Sequence, residues 1–577
     1  MIALNIPMGF SVFGLHAWDF TCLVVYLAVI TGMGLWAARK VHTVRDFFMP
    51  RRFGKAMMMM HSFGTGTHSD QAVGVASKTF TSGLSGIWYQ WLWLFCTPFY
   101  WLIAPFVKRF RAVTMGDAFE ARYDRGVAGL YAVVGMAQLT LNIGIMLKGS
   151  GEVIDASTGG MVSSHAAIGV MTLLFVVYGI AGGLSAAIVT DFLQGIMTIV
   201  FSFLLLPFVL DAVGGISGLH AKIDPKLFSL VAPKGIGVFY IVVIAFNALV
   251  GIVVQPHTLG ICAAGKTEME GRVGFMFGTV IKRVCTIAWC LTGLAAVAYF
   301  AGQEIEPDQV FGAMARDFLP KILPGMLGIF LAALLASVMS SCDSFMTATS
   351  ALFTENIYRP LLPHKPQKHY LLVGRIASLA VVVGGVAFAY TVPGIVKALE
   401  IFWKMAAMMG IAFWLGLFWR RTTSAGAWAA ALSSLAMWWV STQQFFIDFA
   451  ARLPQWEAAP FVWGVGDKQG IHLPWQMVFY LVVGTVAGIV VSLLTRPVAE
   501  DKLDNFYALT RTPIVPGEEP GEPCTIPHGT VTLPRRNLLP FKGLELPVPS
   551  RTSVIGFVVG WVCVAVLIGG FVLIVRM

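Results

Sequence analysis

The sequence predicts an all-α polytopic membrane protein of about 14 transmembrane helices, built around five-plus-five inverted repeats with broken helices. Three observations predict this fold. The 577 residues are 57% hydrophobic and 12% charged, whereas soluble globular chains carry about 25% charged residues. Apolar windows long enough to span a bilayer recur along the chain. Polar residues and glycines interrupt two of these windows, each at the start of a block of five spans.

The candidate spans are apolar windows of about 20 residues, the length that crosses a bilayer as a helix. They are 17–38, 56–80, 84–107, 127–148, 161–182, 184–211, 234–262, 279–301, 323–352, 372–394, 396–418, 424–446, 474–496 and 552–575.

The Lys and Arg residues that produce the net charge of +10 are unevenly distributed among the loops between these spans. If the loop after the first span is cytoplasmic, the loops and span ends on that side hold 28 of the 40 Lys and Arg residues. Because positive loops stay in the cytoplasm, both termini are expected outside, in a multi-pass protein of the plasma (inner) membrane. The charge is therefore a topology signal, and the expected partner is the lipid bilayer rather than nucleic acid.

The stretch Gly64–Gln71 (GTGTHSDQ) interrupts the apolar window 56–80. An unbroken helix with back-bonded hydroxyls is one interpretation. However, non-helical backbone inside a bilayer is tolerated where protein or a water-filled cavity satisfies it, and a mid-span carboxylate is costly unless it is functional or paired. We therefore expect a broken helix whose His68, Ser69 and Asp70 face a central cavity and recognise a substrate.

A second interruption falls in the window 234–262. Pro256 removes a backbone donor and kinks the helix, and Asn247, Gln255 and His257 add polar groups around it. These side chains are candidate substrate contacts opposite the first broken helix.

The two interrupted windows open the blocks 56–211 and 234–418, each with five spans. An odd count inverts the second block relative to the first, which is typical of a leucine-transporter-like secondary transporter with its substrate between the broken helices. The expected domains are a transmembrane domain at 1–500, a Pro/Gly-rich cytoplasmic linker at 501–551 and a further C-terminal transmembrane helix at 552–577.

A third polar cluster consists of Ser337, Ser340, Ser341, Asp343 and Ser344. The four serines are spaced i, i+3, i+4, i+7, which places them on one helix face. Small residues also serve close helix packing, but packing needs no carboxylate. Oxygen ligands of this kind suit a hard cation.

A second intramembrane carboxylate, Asp191, lies in the window 184–211. It could pair with a basic residue from a loop. Together with Asp343 and the serine face, it more readily forms a site for Na⁺ or H⁺.

Three motifs resemble the sodium:solute symporter family over roughly residues 17–500. YGIAGGLSAAIVTDFLQG is similar to the family's Gly-Gly-Leu…Thr-Asp-x-x-Gln, and GIFLAALLASVMSSCDSFMTATSALFTENIY to its Ala-x-x-x-Ser-Ser…Phe-Thr-x-x-Ile-Tyr stretch. WLGLFWRRTTSAGA looks like its Gly-x-Phe-Trp-Lys-Arg-Thr-Thr-x-x-Gly-Ala motif. The proline branch shares Gln-Pro-His with residues 255–257.

The resemblance implies positions for ions and solute. The general Na⁺ site would combine backbone oxygens near Gly64 and Thr67 with Ser337, Ser340 and Ser341. A second Na⁺ site, present in some members, would involve Asp191, Asp343 and Ser344. Substrate contacts of the sugar-carrying branch match Gln90 and Asn247.

The expected function is Na⁺-coupled import of a small polar organic solute (an amino acid, sugar or carboxylate) by alternating access. Na⁺ is the coupling ion and no cofactor is expected. An ionised Asp70 would suit a cationic or hydroxyl-rich solute, and an anion would need His68 or His257 protonated. The alternatives are H⁺ coupling, with Asp70, Asp191 or His257 titrating, and a membrane sensor on a transporter scaffold. An enzyme is not expected, because no metal-ligand pair or nucleophile–base spacing is found.

Overall fold

The computed structural model describes residues 11–577 except 13, 40, 42–46, 233–235, 393, 457–458, 465–468, 519–520 and 542. Residues 234–235 and 393 of the predicted spans, and 519–520 and 542 of the predicted linker, therefore lie outside the described residues.

The chain is mostly helical. The helices, in chain order, are α1 (Ala17–Ala38), α2 (Lys55–Gly66), α3 (Ser69–Ser82), α4 (Trp88–Trp91), α5 (Thr97–Arg109), α6 (Met115–Arg122), α7 (Arg125–Ser157), α8 (Ser164–Phe203), α9 (Leu206–Val213), α10 (Gly215–Lys222), α11 (Val238–Ile252), α12 (Thr258–Ala263), α13 (Glu268–Tyr299), α14 (Val310–Phe318), α15 (Met326–Ala351), α16 (Arg359–Leu361), α17 (Gln367–Thr391), α18 (Ile395–Phe418), α19 (Ser424–Val440), α20 (Gln444–Arg452), α21 (Leu473–Leu494), α22 (Glu500–Arg511) and α23 (Arg551–Arg576). The strands are β1 (Ser11–Val12), β2 (Leu15–His16), β3 (Val462–Trp463) and β4 (Gly470–Ile471). Short 3-10 turns cover Gly83–Ile87, Pro225–Phe228, Pro307–Gln309 and Leu319–Lys321, and a π-helical turn covers Leu352–Tyr358.

Nine helices in the described part of the chain are long and apolar enough to cross a bilayer. The protein is thus a multi-pass membrane protein. The five other predicted windows coincide with interrupted or shorter helical segments: 56–80, 84–107, 161–182, 234–262 and 424–446. The count of 14 spans and the inversion of the two blocks stay predictions.

The first predicted interruption is a break between α2 and α3. Thr67 and His68 join the two helices with extended backbone, at φ −129° and −138°. Two glycines near the end of α2 lower its helix propensity, because glycine loses the most backbone entropy in a helix. The sequence prediction of a broken helix at this point is confirmed.

The second predicted interruption is a break between α11 and α12. Gln255, Pro256 and His257 lie between Ile252, where α11 ends, and Thr258, where α12 begins. Pro256 has no backbone N–H to continue the ladder of α11.

Helix α8 is bent at Gly183, where the predicted spans 161–182 and 184–211 meet. Gly183 has φ 55°, and a Cβ there would lie 2.5 Å from the carbonyl oxygen of Phe47. Both the left-handed backbone and the close approach require glycine.

Helix α15 forms the centre of the bundle. In its spanning window 89% of the residues are buried, compared with 22% in α1 and in α23. It packs against α8, α7, α17 and α1, while α2 packs against α13, α8 and α15. The break after α2, the second half of α8 and the serine face of α15 therefore meet in the interior.

The Pro/Gly-rich linker predicted at 501–551 begins with a helix, α22. Leu503, Phe506 and Tyr507 are buried at i, i+3 and i+4 spacing and pack toward α5 and α6. This apolar stripe, rather than the Pro/Gly content of the segment, decides the local structure. After α22 the described residues of the linker are irregular up to α23.

The long loop between α19 and α21 carries α20 and a small hairpin. Strands β3 and β4 pair antiparallel, with Val462 opposite Ile471. Ile447, Ala450 and Ile471 form a separate buried apolar cluster beneath this hairpin.

Candidate functional site

The C-terminal end of α2 presents two carbonyls to side chains from other helices. The Gly64 carbonyl accepts hydrogen bonds from the Thr67 backbone N–H at 3.3 Å and from the Ser341 hydroxyl at 3.1 Å. The Gly66 carbonyl accepts from Gln71 Nε2 at 3.2 Å and from the Lys282 ammonium. The end of a helix whose carbonyls are free of intrahelical partners carries partial negative charge. This end is therefore suited to cations, and one ammonium already lies against it.

The serine face of α15 points at α2 and α8. Ser340 donates a hydrogen bond to Asp191 of α8, and Ser341 donates one to the Gly64 carbonyl of α2. Ser337 donates to the Leu334 carbonyl of its own helix at 2.7 Å. Ser337, Ser340 and Ser341 have no exposed surface.

Two further residues predicted as Na⁺ ligands lie at the same junction. The Ser344 hydroxyl is 2.9 Å from the Thr65 hydroxyl of α2, and Asp343 is buried beside it with 4% exposed. The buried Thr67 hydroxyl has no hydrogen-bond partner among the residues that the structure describes. The predicted ion ligands thus converge from α2, α8 and α15.

His61, which the sequence analysis did not identify, is the basic partner of Asp191. Its Nδ1 lies 2.6 Å from Asp191 Oδ2, and the Thr65 hydroxyl is 3.2 Å from the same nitrogen. The carboxylate therefore pairs with a residue of α2, not of a loop. His61 precedes Thr65 by one helical turn, so its place on the polar side of α2 was readable from spacing alone.

A cavity of about 70 Å³ lies between the two broken helices. Four predicted substrate residues line it: His68, Gln90, Gln255 and His257. Both amide atoms of Gln90 and the Nδ1 of His257 are buried without a hydrogen-bond partner in the described part of the chain. Nearly all buried polar groups in folded proteins are paired. These atoms are therefore available to form hydrogen bonds with a molecule in the cavity.

Asp70 and Ser69 turn away from this cavity. Asp70 is paired with His68 Nδ1, while His68 Nε2 lies 2.9 Å from Gln71 Nε2. The Ser69 hydroxyl is 2.5 Å from the Ser150 hydroxyl of α7. Asp70 therefore contacts the cavity lining only through its partner His68 in the described part of the chain.

Asn247 also lies outside the cavity lining. Its amide donates to the Trp403 carbonyl at 3.1 Å and accepts a hydrogen bond from the Tyr480 hydroxyl. In this arrangement Asn247 ties α11 to α18 and α21, and its role in substrate binding stays a prediction.

Lys282, like its neighbour Arg283, is a cavity-lining cation that the sequence analysis missed. Its ammonium donates to the Gly66 carbonyl and lies 5.6 Å from the Trp93 ring centre. It is buried, with 8% exposed, and forms no ion pair with a carboxylate among the described residues. The predicted span 279–301 placed Lys282 near its edge. Helix α13 begins at Glu268 instead, so Lys282 lies near its middle.

A sequence model of the sodium:solute symporter family matches residues 47–433. Relatives include the sodium/glucose cotransporter of Vibrio parahaemolyticus, 24% identical over 73% of this chain and 84% of that protein. The osmoregulated proline transporter OpuE of Bacillus subtilis is 25% identical over 82% of this chain and 94% of its own length. The sodium/pantothenate symporter of Escherichia coli is 23% identical over 78% and 96%.

Solved structures have a similar fold. An outward-open, substrate-bound Na⁺-coupled sialic acid symporter aligns with a TM-score of 0.66 at 18% identity, over 85% of this chain and 99% of that one. A closed nucleobase-cation-symport-1 family transporter aligns with a TM-score of 0.50 at 11% identity, over 80% and 98%. Both comparisons concern the fold alone.

Proposed function

Because the chain belongs to the sodium:solute symporter family, it is a Na⁺-coupled solute symporter, and we propose that it imports a small polar organic solute by alternating access. The family consists of transporters rather than enzymes. Amino acids, sugars and carboxylates are the solute classes that the cavity chemistry supports. Membership of this family supports Na⁺ coupling over the two alternatives, H⁺ coupling and a membrane sensor.

The proposed Na⁺ site lies where α2 ends against α15. Its ligands are the Gly64 carbonyl, Thr67, Ser337, Ser340 and Ser341. The contact between Ser341 and the Gly64 carbonyl at 3.1 Å supports it, because a cation between these oxygens would join one helix from each five-span block. The α2 carbonyl end adds a favourable dipole. Na⁺ bound here would favour the arrangement in which the two blocks are correctly placed for the solute.

A second proposed cation site involves Asp191, Asp343 and Ser344. Its support is their common burial at the junction of α8, α15 and α2. His61 competes for Asp191 at 2.6 Å. A cation entering this site would therefore have to displace the imidazole from the carboxylate.

The proposed solute site is the cavity between the broken helices. The single observation that carries this assignment is the set of buried, unpaired polar atoms on Gln90 and His257 around the cavity. Lys282, Arg283, His68 and Gln255 are among the other polar residues of the lining. Lys282 offers N–H donors to a hydroxyl or carboxylate oxygen, whereas Asp70 is already engaged by His68. The cavity therefore favours a solute rich in acceptor oxygens, and a cationic solute is the less favoured class.

A thermal-shift screen of the purified protein tests this function. Amino acids, sugars and carboxylates are added in Na⁺ and, as a control, in K⁺ at equal ionic strength. A solute at one hundred times its Kd stabilises the protein by about 2.7 kcal/mol. We expect stabilisation by one solute class in Na⁺ alone. Proteoliposomes with an inward Na⁺ gradient should then accumulate that solute. Equal stabilisation and uptake in K⁺ would contradict Na⁺ coupling.

The proposed orientation has both termini outside the plasma membrane. The distribution of Lys and Arg supports it, and it places α22 and the described residues of the linker on the cytoplasmic side. The basic ends of α5 and α18, at Arg109 and Arg420, then face the cytoplasm as well.

A further inference from the structure

A large apolar cavity lies between the spanning bundle and the linker that follows α21. Its volume is about 1030 Å³, at the upper limit of ordinary ligand pockets, which measure about 300–1,000 Å³. Helices α5, α11, α18 and α21 form its walls, and α22 with lining residues from 533–538 and 545–550 forms its floor. It shares no lining residue with the solute cavity in the described part of the chain.

The walls of this cavity consist of large apolar side chains. Phe106, Phe246, Leu249, Trp414 and Leu481 contribute to them. Phe246 is also 58% exposed, so the cavity opens at the surface where α11 faces outward. In a bundle that spans a bilayer, such a surface contacts hydrocarbon. Apolar walls offer water no hydrogen-bond partners, and acyl chains are the matching occupant.

Three arginines that line the cavity form no ion pair among the described residues. Arg272 donates to the Trp101 carbonyl and the Ser553 hydroxyl, both at 3.1 Å, and makes no ion pair among the described residues. Arg511, at the C-terminal end of α22, has a buried Nε without a hydrogen-bond partner. Arg536 is exposed and likewise forms no ion pair within the described ranges.

The acidic groups nearby are already neutralised. Glu545, which also lines the cavity, is bound by Arg420 at 2.9 Å and by Arg535 at 3.2 Å. Glu268 holds the remaining lining arginine, Arg109, with two hydrogen bonds at 2.7 and 2.9 Å. The floor of the cavity therefore carries uncompensated positive charge beneath an apolar chamber.

We propose that this cavity binds one anionic phospholipid, with its acyl chains between α5, α11 and α18 and its phosphate held by Arg272, Arg511 and Arg536. Guanidinium groups bind phosphate through paired N–H donors. Basic groups at the cytoplasmic face attract anionic lipids. A zwitterionic lipid fits the apolar walls equally well but brings no net charge to the arginines.

Native mass spectrometry of the full-length protein tests the headgroup. The protein is released from nanodiscs that contain equal amounts of phosphatidylglycerol and phosphatidylcholine. Wild type is expected to retain phosphatidylglycerol preferentially. The double variant Arg511→Gln/Arg536→Gln should lose this preference by roughly fivefold per arginine, the factor that about 1 kcal/mol per basic residue corresponds to.

The matched control is Arg496→Gln, which removes an exposed arginine after α21 that does not line the cavity. It should retain phosphatidylglycerol as wild type does. Equal retention of both lipids by wild type would overturn the proposal, as would an equal loss in Arg496→Gln.

A second variant tests the acyl chains. Leu102→Trp enlarges a side chain in the α5 wall and should reduce retention of both lipids at least severalfold. Unchanged Na⁺-dependent thermal stabilisation would verify that this variant folds. Undiminished retention in folded Leu102→Trp would show that the chains lie elsewhere and would refute the site.

Discussion

At the scale of single residues, three hydroxyls proposed for Na⁺ are already engaged in hydrogen bonds. Ser341 donates to the Gly64 carbonyl, Ser340 donates to Asp191, and Ser337 donates within its own helix. An entering ion must replace these bonds with ion–oxygen contacts. The net gain from each ligand is therefore modest, and removal of one ligand should weaken ion binding without unfolding the protein.

Ser341→Ala should raise the Na⁺ concentration for half-maximal uptake by roughly 2- to 13-fold, the range that corresponds to about 0.5–1.5 kcal/mol for one lost hydrogen-bond-sized contact. Uptake in proteoliposomes over a Na⁺ series measures this change. The control is Thr349→Val, which removes a hydroxyl on the same helix that bonds to the Phe345 carbonyl at 2.8 Å. An unchanged Na⁺ dependence in Ser341→Ala would reassign this serine to helix packing.

Asp191→Asn should lower the Hill coefficient of Na⁺-dependent uptake from above one toward one. Two buried carboxylates in one site do not both stay ionised without a compensating cation, and a second Na⁺ would supply it. His61 offers the competing source of charge, because a protonated imidazole 2.6 Å from Asp191 neutralises it directly. A hyperbolic Na⁺ curve for wild type would favour His61 over the second Na⁺.

Lys282→Met should weaken solute binding at least tenfold, because hydrogen bonds to charged groups contribute about 1.5–3 kcal/mol. Na⁺-dependent stabilisation without solute should persist. Lys404→Met is the matched control, since Lys404 is another buried lysine, bound to Gln476 at 2.8 Å and absent from the cavity lining. Loss of the Na⁺ response in Lys282→Met, with solute affinity retained, would move this lysine to the ion site.

The sequence identified many residues of the candidate site, and the exceptions have physical reasons. Ser340, Ser341 and Asp191 were identifiable because polar groups in apolar helices are costly unless they have a function. His61 was overlooked although it lies one helical turn before Thr65, because a single histidine after a run of methionines is a weak signal on its own. Lys282 was overlooked because a hydropathy window is drawn to avoid charged residues. The predicted span therefore placed this lysine at its edge, although it lies near the middle of the helix.

At the scale of elements, the two breaks were predictable, but the contacts of the segments between them were not. Glycine, proline and polar residues mark a break within the local sequence. In contrast, the pairing of Asn247 with Tyr480 depends on how α11 meets α21, 233 residues further along the chain. Helix α22 was missed because the prolines and glycines that follow it dominate the composition of the linker.

Gly64→Ala should disturb the contact between α2 and α15. An added Cβ would lie 2.6 Å from the Ser340 hydroxyl, so that hydroxyl would have to rotate and abandon Asp191. We expect weaker Na⁺-dependent stabilisation in thermal-shift measurements. Gly66→Ala is the control, because a Cβ there meets nothing within 4 Å. Equal effects of the two substitutions would indicate a general helix effect instead of this contact.

At the scale of the whole molecule, the first and the last spanning helices lie at the periphery of the bundle. Helices α1 and α23 are mostly exposed in their spanning windows, as expected of helices that face lipid. Helix α15 is enclosed by its neighbours, and the buried polar residues of the candidate ion site lie on it or against it.

Fusions at the C-terminus test the proposed orientation. Alkaline phosphatase attached after Met577 should be active, and green fluorescent protein at the same position should be dark, because both termini are proposed to lie outside. Fusions after Ser550, before α23, should give the reverse result. A fluorescent fusion after Met577 would place the C-terminus in the cytoplasm.

The described part of the linker contacts both of the predicted five-span blocks and is called the strap here. Near the first block, Arg111 at the end of α5 binds Glu518 through two hydrogen bonds at 2.7 and 2.9 Å. Near the second, Arg420 after α18 binds Glu545 at 2.9 Å. Any rocking motion that separates α5 from α18 on this face must stretch the strap or release one of its ends. Under the proposed alternating access, the strap would resist opening on one side only. We therefore expect the rate of return of the empty carrier to depend on a segment outside the proposed ion and solute sites.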